Sequence, residues 1–163
     1  MDSPARLAAL LECLNAVASQ WQLPVLVSTH PRTRRRLEAL DGAGVDDLVR
    51  FHEPFGFLDY NRLQMSAACV LSDSGTIAEE STILGFPAVT LRSSIERPQA
   101  LDTGAITMTD LDPVALSVAI RFAMSRPHGP ERPADYRVTN TSERVVNFIL
   151  STAFQHEFWS GLR

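Results

Sequence analysis

The tightest constraint on what this chain can fold into is the stretch Val70-Leu71-Ser72-Asp73-Ser74-Gly75-Thr76-Ile77-Ala78-Glu79-Glu80. A short apolar run over 67–71, with Cys69 and Val70 inside it, reads as a buried strand. It empties through small residues into a helical pattern that begins at Thr76. Gly75 is expected to supply the backbone angles for a sharp turn and a close approach to a ligand, and Ser72, Asp73 and Ser74 offer cap-type side chains. A helix starting there aims its unpaired N–H groups and positive dipole end out of the carboxyl end of the strand, which makes an anion site. Glu80 lies one helical turn beyond Thr76, where a carboxylate can accept hydrogen bonds from sugar hydroxyls while the helix start holds a phosphate. That combination suits a nucleotide. The same residues also fit an ordinary helix cap followed by a solvated acidic face, and there is no Gly-x-x-x-x-Gly-Lys phosphate loop to decide between the two.

The flanking sequence repeats the strand, turn and helix pattern. After Asp2-Ser3-Pro4, the spacing of Leu7, Leu10, Leu11, Leu14 and Val17 predicts an amphipathic helix within 1–20. A buried strand over 23–28 leads into the turn Thr29-His30-Pro31-Arg32 and a helix over 34–40. His30 stands where open α/β sheets hold ligands, and also fits a capping or turn histidine. A strand over 48–51 and the turn His52-Glu53-Pro54-Phe55-Gly56 precede a helix over 58–67. Tyr60 in its first turns can stack on a base or pack on the surface. Leu84-Gly85-Phe86-Pro87 stops the central helix, and a strand over 88–91 follows. The polar loop 92–98 carries Glu96 and Arg97, a guanidinium able to clamp a phosphate or to pair with its acidic neighbour. A short strand over 106–108 and a helix over 112–126 come next, the latter with Val114, Leu116, Val118 and 120–123 on its apolar side. A proline- and glycine-dense crossing over 127–133, a helix over 141–154 and the aromatic tail Phe158-Trp159 complete the chain. Five short strands alternating with helices indicate an α/β protein with a three-layer, Rossmann-like parallel sheet and ligands at the strand carboxyl ends.

Length and charge narrow the function classes. The 163 residues fit one domain, and 45% hydrophobic with 21% charged residues is a globular composition. A net charge of -4 argues against nucleic acid as a bulk partner. All 15 basic residues are arginine, so the run Arg34-Arg35-Arg36 reads as a solvated helix face. Cys13 and Cys69 lie in apolar surroundings without a Cys-x-x-Cys spacing and read as core thiols. The four histidines show no metal-ligand spacing, so no metal is expected. No signal sequence or bilayer-length apolar run is present, and a cytoplasmic location is expected.

At Leu71-Ser72-Asp73-Ser74-Gly75-Thr76-Ile77-Ala78-Glu79-Glu80-Ser81, Leu84-Gly85-Phe86-Pro87 and Ile95-Glu96-Arg97-Pro98-Gln99-Ala100, the chain closely resembles the non-hydrolysing UDP-N-acetylglucosamine 2-epimerase family. Val27-Ser28-Thr29-His30-Pro31-Arg32 and Glu53-Pro54-Phe55-Gly56-Phe57 extend the similarity over most of the chain, to about residue 120. Such epimerases are two-lobed, glycosyltransferase-B-like proteins, and the resemblance implies that this chain is their C-terminal, UDP-binding lobe. By the same resemblance Ser74, Gly75 and Thr76 meet the diphosphate, Glu80 the ribose hydroxyls and Tyr60 the uracil, while His30 and Arg97 line the interlobe cleft. Thr76 departs from the more usual second glycine. With the Glu79-Glu80-Ser81 ending and the aromatic tail, that departure looks more like the branch leading to UDP-N-acetyl-L-fucosamine.

The activity so implied is C2 epimerisation of a UDP-2-acetamido sugar through elimination and re-addition of UDP, with no cofactor. The family's catalytic carboxylates belong to the N-terminal lobe and to a segment ahead of the first helix, so this chain alone is expected to be inactive. The expected partners are a UDP-sugar, the N-terminal lobe of the same protein and a second copy in a full-length homodimer, with neither nucleic acid nor membrane. Two alternatives stand beside this reading: a UDP-sugar-dependent glycosyltransferase of the same fold, and a non-catalytic nucleotide-binding module.

Overall fold

Ser3 caps the first helix: its hydroxyl accepts the Arg6 N–H at 3.2 Å, and proline takes the first position of α1 (Pro4–Trp21). The computed structural model describes residues 3–38, 44–95, 98–102, 104–126 and 132–161. They form two compact units, 1–131 and 132–163. In the first unit α1 is followed by β1 (Val25–Ser28), α2 (Pro31–Glu38), β2 (Val49–His52), α3 (Phe57–Ser66), β3 (Val70–Ser72) and α4 (Ile77–Leu84). Then come β4 (Ala88–Thr90), α5 (Gln99–Asp102), β5 (Thr107–Met108) and α6 (Pro113–Met124).

All five strands run parallel to their neighbours, as strand–helix alternation requires, but they form two ladders. β1 pairs with β2 from Val25↔Val49 to Ser28↔His52. β3, β4 and β5 pair in that order, with Val70↔Ala88, Ser72↔Thr90 and Thr90↔Met108 in register. The two sheets share side-chain packing: Val25, Val27 and Phe51 meet Cys69, Leu71, Val89 and Leu91 in one core closed by α1 and α6. β4 is buried along its whole length, which explains its unalternating Ala-Val-Thr sequence.

A second core cluster seats the central helix. Ile77 and Ala78 from the first turn of α4 pack with Val70, Phe86, Ala88, Ala105 and Ile106. Ser81 and Thr82, also buried, turn their hydroxyls back to the Ala78 carbonyl, so neither is left unpaired in the interior. Gly85 ends α4 at φ 78, an angle that favours glycine.

Two expectations change. α6 is apolar on more than one side, yet only Leu116, Ala119, Ile120 and Ala123 are buried; their three- and four-residue spacing selects a single stripe. Val114, Val118 and Phe122 lie off that stripe and are exposed. Beyond the polar loop, residues 99–102 form the short helix α5. In the second unit a 3-10 turn (Ala134–Arg137) precedes α7 (Thr141–Thr152) and α8 (His156–Trp159), and neither helix buries a residue. Phe154, Phe158 and Trp159 are exposed. No described helix is long and apolar enough to cross a membrane.

Burial pushes the Cys69 thiol up to about 12. Burial, with the charges of Asp112, Glu12 and Asp110 behind it, pushes Cys13 up to about 11. Both thiols therefore keep their protons in the fold after the unfolded chain has begun to lose them, so their stabilisation is complete below pH 9 and is lost as pH rises toward the folded values. Denaturant unfolding followed from pH 8.5 upward will show stability falling, with Cys69 contributing about 1.4 kcal/mol per pH unit. Cys69→Ala will have a shallower slope by that amount; parallel slopes would refute the assignment.

Candidate functional site

The turn after β3 is held by its own hydroxyls. The Ser74 N–H donates to Ser72 Oγ at 3.1 Å, and the Thr76 N–H donates to Ser74 Oγ at 3.3 Å. Thr76 is the N-cap of α4, with φ -85 and ψ -8, but its side chain does not cap the helix. It turns along the helix instead and donates to Glu80 Oε1 at 2.7 Å. That bond takes the hydroxyl's only proton, so in the 2.9 Å contact between Ser74 Oγ and Thr76 Oγ1 the serine is the donor. The donors run in one direction, from Ser74 through Thr76 to the carboxylate.

α3 supplies the other side. Gln64 is the one buried residue of this helix, only 3% exposed, and its Nε2 donates to Glu80 Oε2 at 2.8 Å. Both carboxylate oxygens are thus held, one from its own helix and one from a neighbour, which leaves each with a second acceptor site. Tyr60 lies one turn before Gln64 on α3. Burial raises its phenol above the ordinary value, the charges of Glu80 and then Asp73 add to the rise, and a side-chain hydrogen bond with Gln64 works the other way. The structure therefore brings Tyr60, Ser74, Thr76 and Glu80 together, with Asp73 near enough to act on the phenol.

One half of the expectation for Gly75 changes: its φ is not in the positive region, so the turn does not require a glycine backbone. A Cβ here would sit 3.2 Å from a guanidinium nitrogen of Arg92, which follows β4, a tight contact that the end of a flexible side chain can relieve by a small shift. The arginine thus places positive charge against the turn at the start of α4, where the helix dipole already favours an anion.

The remaining predicted residues lie elsewhere. His30 lies two residues past the end of β1 and acts as a cap, its Nδ1 accepting the Arg32 N–H at 3.2 Å at the start of α2. It lies beyond the two-stranded sheet and takes no part in the network around Glu80. Arg97, with Glu96, falls outside the described residues. A separate cleft of about 410 Å³, lined by Thr29, Pro31, Arg34, Arg35, Glu53 and Pro54, is crossed by an Arg34–Glu53 ion pair at 2.8 Å. Among the described residues no group of three or more His, Cys, Asp or Glu side chains could hold a metal.

Sequence reasoning missed Gln64 and Arg92. Each left a trace: Gln64 is a polar residue between Leu63 and Met65 one turn after Tyr60, and Arg92 is a cation just past the carboxyl end of the Ala-Val-Thr strand.

The sequence model of the family described as UDP-N-acetylglucosamine 2-epimerase matches residues 1–150. The UDP-N-acetylglucosamine 2-epimerase of Methanocaldococcus jannaschii is 27% identical over 152 residues, which cover 91% of this chain and 41% of that protein. The structure of that epimerase solved in complex with UDP-GlcNAc and UDP superposes with a TM-score of 0.81, covering 92% of this chain and 42% of the other. The Rickettsia bellii UDP-N-acetylglucosamine 2-epimerase is 32% identical, with a TM-score of 0.79 over 95% of this chain and 44% of its own. A Pseudomonas aeruginosa relative, UDP-2,3-diacetamido-2,3-dideoxy-D-glucuronate 2-epimerase, is 35% identical over 104 residues, 64% of this chain and 28% of that protein. The chain thus spans well under half the length of the relatives it matches. With its parallel strands, its hydroxyl-lined turn and its family match agreeing, this chain is a member of the UDP-N-acetylglucosamine 2-epimerase family, corresponding to the C-terminal part of those glycosyltransferase-B-like enzymes.

Proposed function

We propose that this chain is the UDP-binding half of a UDP-sugar 2-epimerase and that the nucleotide lies along the start of α4. The observation that carries the reading is the doubly held Glu80 carboxylate, one turn along the helix from a start flanked by Arg92. The ribose hydroxyls donate to the acceptor sites that Thr76 and Gln64 leave on Glu80. The diphosphate lies against the turn of Ser74, Gly75 and Thr76, at the dipole end of α4 and beside the Arg92 guanidinium. The Tyr60 ring lies beside the uracil. His30, which caps α2, faces the sugar side of the cleft.

The epimerisation itself requires proton removal at C2 and proton delivery on the opposite face. Glu80, Tyr60 and Arg92 are assigned to holding UDP, and no residue of this chain is assigned to that proton transfer. The acid-base groups come from the rest of the longer protein, and this chain alone binds UDP without turning over UDP-N-acetylglucosamine. Incubated with the sugar nucleotide in D₂O, it will incorporate no deuterium at C2.

A UDP titration followed by amide NMR tests the site. Shifts at Ser74, Gly75 and Thr76 are expected, and Glu80→Ala will weaken the affinity about tenfold or more, the effect of losing hydrogen bonds to a charged acceptor. Unchanged affinity in that variant would remove Glu80 from the site. A second pair of ligands isolates the diphosphate end: Arg92→Ala will weaken UDP about tenfold while leaving uridine within about twofold. Equal losses for the two ligands would place the arginine away from the phosphates.

A further inference from the structure

Gln64 is an odd residue for the inner face of α3. It is the only buried member of that helix, while its neighbours Leu63 and Met65 are exposed. Its Nε2 donates to Glu80 Oε2 at 2.8 Å, and the side chain also hydrogen-bonds Tyr60. Its Oε1 is shut away from water and has no hydrogen-bond partner among the described residues. The amide cannot be turned round to relieve this, because an ionised carboxylate accepts only and needs the NH₂ end facing it. An apolar side chain of the same length would fill the space without stranding an acceptor. Packing alone therefore does not account for a glutamine here, whereas holding Glu80 does.

We infer that Gln64 is a positioning residue for nucleotide recognition: together with Thr76 it fixes the plane of the Glu80 carboxylate, so that the remaining acceptor sites face a vicinal diol. Without the amide, Oε2 is free to swing about the Glu80 side-chain torsions while Thr76 still tethers Oε1. The carboxylate keeps its charge and loses its aim. The consequence is selective, since only a ligand that donates from both sugar hydroxyls reads the orientation of both oxygens. The inference rests on the assignment of Glu80 to the ribose.

The test compares UDP with 2′,3′-dideoxy-UDP on the same chain by titration. The wild type is expected to prefer UDP about tenfold. Gln64→Met will weaken UDP about fivefold and leave the dideoxy nucleotide unchanged. In a Glu80→Gln background the same Gln64→Met change will have no further effect. Should the methionine variant fail to fold, the neutral Gln64→Leu removes the same hydrogen bond; it will lose UDP affinity in the same selective way. A Gln64 variant that loses both nucleotides equally would show that the residue acts through packing, and one that keeps the UDP preference would overturn the inference while leaving the ribose assignment intact. A wild type that binds the two nucleotides equally would overturn the ribose assignment itself, and the inference with it.

Discussion

The geometry at the turn depends on how the first turn of α4 is seated. Ile77 and Ala78 are all but inaccessible, packed with Phe86 and Val70 under the three-stranded sheet. Burying side chains the size of Ile and Phe contributes about 1.5–3 kcal/mol each, against about 0.5–1.5 kcal/mol net for a typical hydrogen bond and about 1.5–3 for one to a charged group. The apolar seat therefore fixes where the helix begins, and the hydroxyl and amide contacts decide only how Glu80 points. A substitution that loosens Phe86 displaces the whole site, whereas one at Thr76 or Gln64 alters it in place.

What could be read in advance follows from the range of the interactions. The strand, turn and helix around Ser74 are encoded by neighbours within a few residues, and so was the grouping of Thr76 with Glu80, one turn apart. The cap roles of Ser3 and Asp112 were equally local, each side chain accepting from an N–H three residues on. Gln64 lies 16 residues from its carboxylate partner, and Arg92 reaches Gly75 across two parallel strands. Neither contact leaves a periodicity. The backbone role expected of Gly75 was misread because a glycine in a small-residue turn looks the same in a sequence whatever its φ. α6 was misread where apolar residues occur on several faces and only the packing selects one.

Thr76 illustrates how a departure from a family pattern can be absorbed. A glycine at this position offers no donor, and Glu80 would rely on α3 alone. The threonine hydroxyl instead relays a proton donor from Ser74 onto Oε1, and a chain of aligned hydroxyls is stronger than its members taken singly. The cost is a helix start without a side-chain cap. The same side chain thus holds Glu80 from its own helix, while the Thr76 N–H is taken by Ser74 Oγ.

Charge gives the site a direction. Glu80 and Asp73 are close enough to Tyr60 to raise its phenol, so that side of the cleft is unfavourable for phosphate. Two unit charges about 7 Å apart repel by about 0.6 kcal/mol in water and by about 2.4 at an effective dielectric constant near 20. Arg92 and the dipole of α4 exert the opposite preference at Gly75. A nucleotide whose neutral base and sugar hydroxyls face the carboxylates, with its diphosphate at the arginine, satisfies both ends at once. The reversed orientation brings the diphosphate against Glu80 and leaves the guanidinium facing a neutral base. The placement of three side chains, Tyr60, Glu80 and Arg92, therefore favours one orientation of the nucleotide in the proposed site over its reverse.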